Sequence, residues 1–560
     1  MTTAAVPTAA RGKKKPLMGP IRVNLEAFGV AILAAVLLKW FCLEAFQIPT
    51  SSMQPTLMGD AAAGVFDRIL VDKLLTTIRE PKRWDITVFK YPLQKNQNYV
   101  KRIGGMPGDR LSIGGGNVYQ VVDGEGGKRT FRIERKPADL QEQMWKNVFP
   151  CRPLARSETK WLGSVLAGSP QRAWSEDQDG LSLQLDGQRA FVWLRDEVDG
   201  GMIDRVWDGY PEDVARAIRE KQSLHQPQEI VPDVRIAATV TTEQALDELA
   251  FEIAVARPQF DTWTYALAIK AGKGQLQVRK DATVLGASAE FELAVAPGSS
   301  VDLAFAHVDD ELVAWRDGKE LQRFDSSAWA CRDGCVLPFT PGSPSAPGSP
   351  EIPAKLELPA NQKVTPQIAA RGKGKVRFTD VRIDRDQHYT RSTAPEVIEV
   401  PEGHYYMLGD NTLQSIDSRG WTAITVGVDA ENNIVPPDTP GARVVRGNKR
   451  AMFLDKAPDR DETPIPIPDQ KAIVMIDEFG EILRLRGEVG PGWPGRISFL
   501  RPGAIDGRGE WTAPETTNAK GISFVPRSDI QGRALLVFYP CRPFAWLFGN
   551  AWPGRFGFVR

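Results

Sequence analysis

Two short stretches of the chain carry residues that together could cut a peptide bond. One is Ile48-Pro49-Thr50-Ser51-Ser52-Met53-Gln54-Pro55-Thr56-Leu57, which holds two serine hydroxyls between prolines that limit the backbone's freedom. The other is Tyr99-Val100-Lys101-Arg102-Ile103-Gly104-Gly105-Met106-Pro107-Gly108-Asp109, an alternating run closed by a Gly- and Pro-rich reversal. A serine hydroxyl is a weak nucleophile until a positioned base removes its proton. None of the four histidines, His225, His307, His388 and His404, lies in a triad context, and there is no Gly-x-Ser-x-Gly elbow. A lysine can take the role when burial disfavours its ammonium. In an extended strand Tyr99, Lys101 and Ile103 share one face, so a tyrosine and an isoleucine would flank the amine. Taken alone, the pattern fits a solvated lysine on a half-polar strand better than a base. Lys73, the alternative base, follows Asp72 at the end of the run Asp67 to Lys73.

A third stretch, Gly409-Asp410-Asn411 followed by Ser415, Asp417, Ser418 and Arg419, is by itself only a turn signal. The three together resemble bacterial type I signal peptidases, membrane-bound Ser/Lys proteases that remove signal peptides. The resemblance implies Ser52 as nucleophile, because the family's serine immediately precedes Met, with Ser51 as the internal competitor. It implies Lys101 as the base, and an oxyanion hole made of the Ser52 N–H and the Thr50 hydroxyl. It further implies that the Ser415 hydroxyl bonds the Lys101 amine and that Asp417 and Arg419 form a bracing ion pair. The chain departs from the family at Thr412-Leu413-Gln414, which replaces a more polar, charged run. No metal or organic cofactor is implied. The implied substrates are signal peptides of secretory preproteins, bound as an added β-strand with small residues before the scissile bond.

These motifs need a membrane-proximal frame. The run Ala27 to Phe46 is apolar except for Lys39 and Glu44. At about 1.5 Å per residue it reaches about 30 Å, a bilayer core. Arg11, Lys13, Lys14, Lys15 and Arg22 precede it. The positive-inside rule then expects residues 1–24 in the cytoplasm, an uncleaved anchor at 25–46 among membrane lipid, and the rest outside the inner membrane, on the periplasmic side. No small-x-small cleavage site follows.

The expected architecture is mainly β, with a signal-peptidase-type antiparallel catalytic core in three parts: 47–125, 396–421 and 522–560. Residues 126–395 form a first insertion. Its alternating segments Val234–Val240, Phe251–Val255, Trp263–Ile269, Phe291–Val295, Leu303–His307 and Leu312–Lys319 suggest an antiparallel β-sandwich, similar to a concanavalin-type jelly roll. Asp317-Gly318 marks a turn, Phe378–Ile383 a late strand, and Thr340–Pro353 a loop excursion. Residues 422–521 form a second insertion with strands at Ile473–Ile476 and Ile482–Leu485. The aromatic end, Phe544 to Phe558, reads as a core strand or a patch dipping into headgroups.

Lys plus Arg equals Asp plus Glu at 70 each, so no basic field points to a nucleic-acid partner. Five cysteines in 560 residues make no disulfide framework. The near-repeat Phe149-Pro150-Cys151-Arg152-Pro153 and Tyr539-Pro540-Cys541-Arg542-Pro543 leaves a Cys151–Cys541 bridge open, and Cys331–Cys335 is the other candidate. No Cys/His spacing matches zinc. The competing function is an anchored surface protein whose sandwich binds a glycan or protein ligand on a non-catalytic scaffold.

Overall fold

The computed structural model describes residues 19–61, 64–92, 94–123, 129–150, 159–165, 171–196, 209–210, 230–256, 262–327, 363–391, 394, 397–421, 424–435, 439–449, 465–467, 472–477, 481–486, 488–489, 496–500, 508–512, 524–539 and 557–559. The helix Gly19–Leu37 runs on through a wider turn, Leu38–Cys42. Its apolar side chains, Leu25, Phe28, Ile32 and Leu33 among them, are exposed. Asn24–Cys42 is long and apolar enough to cross a membrane. The expected anchor extended to Phe46, but the helix stops at Cys42. Leu43–Gln47 is instead a strand, paired antiparallel with Arg68–Asp72 from Leu43↔Asp72 to Gln47↔Arg68. Glu44, which hydrocarbon would not tolerate unpaired, meets Lys73 at 3.3 Å there. Lys73 is thereby committed to an ion pair.

That strand opens the sheet that frames the site. Its order is Leu43–Gln47, Arg68–Asp72, Ile530–Tyr539, Ile86–Tyr91, Gln94–Gly105, His404–Leu408, Phe524–Pro526, antiparallel throughout. The β-branched residues of these strands alternate inward. Ile48, Met53, Leu57, Ile69, Val71, Ile86, Val88 and Val537 form one core beneath the serine motif. Phe89, Tyr91, Ile103, Tyr405, Met407 and Trp421 form another beside the lysine strand. Burying each such side chain contributes roughly 1.5–3 kcal/mol. A second sheet joins Arg110–Gly114, Asn117–Asp123, Arg129–Ile133 and Ile398–Glu399. Arg129–Ile133, grouped by sequence with the sandwich, belongs here because it pairs with Asn117–Asp123.

The inserted sandwich is one sheet folded over a long spine strand, Lys363–Arg385. The first half of the spine pairs with Leu246–Ala256 and the second with Val234–Thr242. The change of partner falls at Gly372 and Gly374, whose φ values of 151° and 83° suit glycine. Leu246–Ala256, Thr262–Lys270 and Lys273–Lys280 thus pack over Ser300–Val308, Glu311–Arg316 and Lys319–Asp325. Phe251, Tyr265, Leu276, Ile236, Leu303, Phe305 and Phe378 lie enclosed between the layers. Asp317 and Gly318 both have positive φ, 49° and 73°, forming the expected Asp-Gly hairpin turn. Phe291–Glu292 is shorter than expected, and Gly180–Asp196 pairs with the spine's other edge.

In the second insertion, Ala472–Asp477 and Ile482–Arg486 are strands of a six-stranded sheet, with Ile424–Val428 and Arg443–Lys449. Cys151, Cys331, Cys335, Cys541, the excursion Thr340–Pro353 and most of the aromatic end lie outside the described residues. Phe558, which is described, is exposed.

Candidate active site

The serine motif folds into a single tight turn. Thr50 is extended, with φ −121°, and Ser51–Met53 then forms one 3₁₀ turn. Buried Ile48, Met53 and Leu57 pin the turn into the core on both sides. The Leu57 N–H donates to the Met53 carbonyl at 2.9 Å and the Gln54 N–H to the Ser51 carbonyl at 3.0 Å. Gly59 backs the turn so closely that a Cβ there would meet the Thr50 carbonyl oxygen at 2.7 Å.

Lys101 comes from the middle of Gln94–Gly105, opposite Thr87. Its Nζ lies 2.5 Å from Ser52 Oγ. Ser52, not Ser51, is the serine that meets the amine. Lys101 is 3% exposed, with the Tyr99 ring centroid 5.8 Å from Nζ and Ile103 fully buried. Both faces of the strand are buried here, Lys101 and Ile103 on one and Arg102 on the other. Burial pushes the Lys101 amine down from 10.5 to about 8; Asp417 pulls it up and Arg419 pushes it down. At pH 7 roughly one lysine in ten is then neutral, against fewer than roughly one in a thousand for a solvated lysine.

The neighbouring residues fall as follows. Thr50 Oγ1 lies 3.5 Å from Ser52 Oγ, on the same turn. Asp417 and Arg419 form a fully buried bidentate pair, with Nε to Oδ1 at 2.8 Å and Nη2 to Oδ2 at 2.5 Å. The Gly409 N–H donates to the same carboxylate at 2.8 Å. Opposite charges hold the Asp417 carboxyl below its ordinary value despite burial. The buried Ser415 hydroxyl has no hydrogen-bond partner among the described residues, and in this structure it does not bond the Lys101 amine. It packs on Gly409, where a Cβ would meet Ser415 Cβ at 2.5 Å and the Ser52 carbonyl oxygen at 2.6 Å. Glycine there lets the third motif lie against the serine turn.

Several supporting groups escaped the sequence reading. Arg102, one residue past Lys101 and so on the opposite face, makes a bidentate pair with Asp410 at 2.8 and 2.7 Å. Asp410 also accepts from the Thr56 hydroxyl at 2.5 Å, and its carbonyl accepts from Lys146 and Gln387 at 3.2 and 2.7 Å. The Asn411 N–H donates to the Ser52 carbonyl at 3.2 Å and its side-chain amide to the Ser51 carbonyl at 3.0 Å. Arg102 could have been found, since strand alternation aims it away from Lys101. Lys146, Gln387 and Tyr210 carry no local signal. Among the described residues, Asp233, Asp309 and Asp386 cluster tightly enough to hold a cation. The Lys136 ammonium sits on two of them, 2.6 Å from Asp309 and 2.8 Å from Asp386.

Comparison with known proteins bears on this arrangement. The family model "Signal peptidase, peptidase S26" matches residues 21–168 and 357–435. Signal peptidase I of Pseudomonas aeruginosa is 36% identical over 132 residues, 20% of this chain and 43% of that protein. Signal peptidase I of Aquifex aeolicus is 41% identical over 93 residues, 17% of this chain and 34% of that protein. The chain thus spans less than half the length of either relative. Among solved structures, the carbohydrate binding module CBM66 from Bacillus subtilis aligns with 40% of this chain and 94% of its own, at 8% identity and a TM-score of 0.22, too slight a likeness to bear on fold or ligand. Both stretches matched by the family model border the gap that holds most of the sandwich, and over these stretches the chain is similar to the signal peptidase family, peptidase S26.

Proposed function

We propose that the chain is a membrane-anchored signal peptidase that cleaves exported preproteins after their signal peptides. The observation that carries this is the 2.5 Å approach of a buried, low-pKa Lys101 amine to the Ser52 hydroxyl. In its neutral form Lys101 accepts the Ser52 proton as Oγ attacks the scissile carbonyl. The oxyanion so formed takes hydrogen bonds from the Ser52 N–H and the Thr50 hydroxyl. The protonated amine returns its proton to the leaving amine, and a water deprotonated by Lys101 then releases the acyl group from Ser52. The buried Asp417–Arg419 pair sets the charge around the lysine, and Ser415 packs on Gly409 beside the serine turn. The helix ending at Cys42 lies in the inner membrane with its basic flank in the cytoplasm. It holds Ser52 near the outer membrane surface, where a signal peptide emerges from the bilayer.

The test is cleavage of a model secretory precursor in detergent by the full chain, Ser52→Ala and Lys101→Ala. Cleavage by the wild type alone, after a small residue, is expected. Cleavage that survives Ser52→Ala, or a folded wild type that never cuts, would sink the reading.

A further inference from the structure

Among the described residues, Tyr210 of the inserted segment reaches the serine turn. Tyr210 is buried, and its hydroxyl donates to Gln54 Oε1, two residues beyond the nucleophile. The Tyr210 hydroxyl oxygen also accepts from the Asn411 side-chain amide at 3.5 Å. Gln54 is itself buried, and its amide donates to the Gly59 carbonyl at 3.0 Å, across the base of the turn. Asn411 in turn holds the carbonyls of Ser51 and Ser52. One hydroxyl therefore links both residues that grip the nucleophile's backbone. Its own placement is fixed by the neighbouring Gly209. That residue's N–H donates to the Asn147 carbonyl at 3.1 Å, and a Cβ on it would meet Pro55 and Lys146 at 3.3 Å. Neither catalytic motif encodes this contact. It comes from the inserted segment, which falls in the gap of the family match.

We infer that Tyr210 is a positioning residue for the peptidase reaction, an arm of the insertion that sets the orientation of the Ser51–Ser52 backbone and hence of the Ser52 N–H that receives the oxyanion. This rests on the Ser52/Lys101 reading above. The buried hydroxyl, held between Gln54 and Asn411, fixes the turn's register against the third motif. Without the hydroxyl, Gln54 Oε1 loses a buried donor and Asn411 loses one of its acceptors, so the turn gains alternative arrangements. Oxyanion donors act only when aimed at the transition state, so the loss should appear in kcat rather than in substrate binding. The titration of Lys101 should stay put, because its charged neighbours Asp417, Arg419 and Asp410 keep their places.

The experiment compares full-length wild type, Ser52→Ala, Tyr210→Phe, Gln54→Met and the Tyr210→Phe/Gln54→Met pair in detergent, on a model precursor across pH. Tyr210→Phe keeps the packed ring, and thermal unfolding checks that it folds as wild type does. Expected are a fall in kcat of about tenfold, a KM within about twofold, an unmoved pH midpoint and no further loss in the double variant. Unchanged kcat in Tyr210→Phe would overturn the inference while leaving the Ser/Lys reading standing. So would a joint change of kcat, KM, pH midpoint and unfolding temperature, which marks a scaffold role only. A wild type that does not cleave, or a Ser52→Ala that does, would instead remove the reading on which the inference rests, and the inference with it.

Discussion

Raising the pH from 7 to 9 should increase kcat/KM for precursor cleavage about tenfold, because the neutral share of an amine titrating near pH 8 rises from roughly one tenth to roughly nine tenths. The sign follows from burial. The folded amine titrates at about 8 and the unfolded one at its ordinary 10.5. Below both values each state is protonated, and the folded state bears the full cost of a buried ammonium, about 3 kcal/mol. Between pH 8 and 10.5 the unfolded chain binds more protons than the folded one, so stability climbs with pH across that window and levels off above it. Lys101→Met removes the amine but keeps the stem's volume. It should abolish cleavage and raise stability at pH 7 by up to about 3 kcal/mol, less whatever the bond to Ser52 contributes. Initial rates with a detergent-solubilised enzyme from pH 6 to 10 test the first half; denaturant unfolding at pH 7 and pH 10 tests the second. A flat rate profile, or a midpoint near that of a solvated lysine, would refute the idea that Lys101 is a desolvated base. A Lys101→Met protein no more stable at pH 7 than wild type would refute the energetic account of its pKa.

Thr50→Val should lower kcat by about 100-fold with little change in KM, as expected for one oxyanion donor, while Thr50→Ser should keep most of the rate. Single-turnover cleavage separates that loss from slow product release. Gly409→Ala would place a methyl 2.6 Å from the Ser52 carbonyl oxygen. It should cost about 1–3 kcal/mol in denaturant unfolding and reduce kcat by pushing the serine turn off the lysine.

The parts legible in sequence were those whose determinants are local. Strand alternation put Tyr99, Lys101 and Ile103 on one face, and Asp317-Gly318 announced a hairpin by backbone preference alone. The link from Ser52 to Lys101 came from motif resemblance, since nothing local says that residues 52 and 101 meet. What escaped was decided by tertiary pairing. Glu44 was the one sign in the apolar run of a stop near Cys42; that Leu43–Gln47 is a strand follows only from its partner Arg68–Asp72. Lys363–Arg385 read as a short strand at its end, because Arg371-Gly372-Lys373-Gly374 resembles a loop; two different partners on one edge keep it extended through the bend. The Ser415 hydroxyl, expected on the lysine, lies under Gly409 instead, a matter of how closely two loops approach.

The position of Ile530–Tyr539 bears on when the protein becomes active. This strand is central in the sheet, yet it is the last of that sheet's seven-strand path to be synthesised. Until it arrives, Arg68–Asp72 and Ile86–Tyr91 share no partner, and each shows a bare edge of unpaired N–H and C=O groups. Pairing Arg533 with Asp72 closes a loop of several hundred residues, which places this step late and makes it slow. A nascent chain can therefore carry the nucleophile and the base for most of its synthesis while their common sheet stays split. The approach of Lys101 to Ser52 is thus expected only after the last strand has paired.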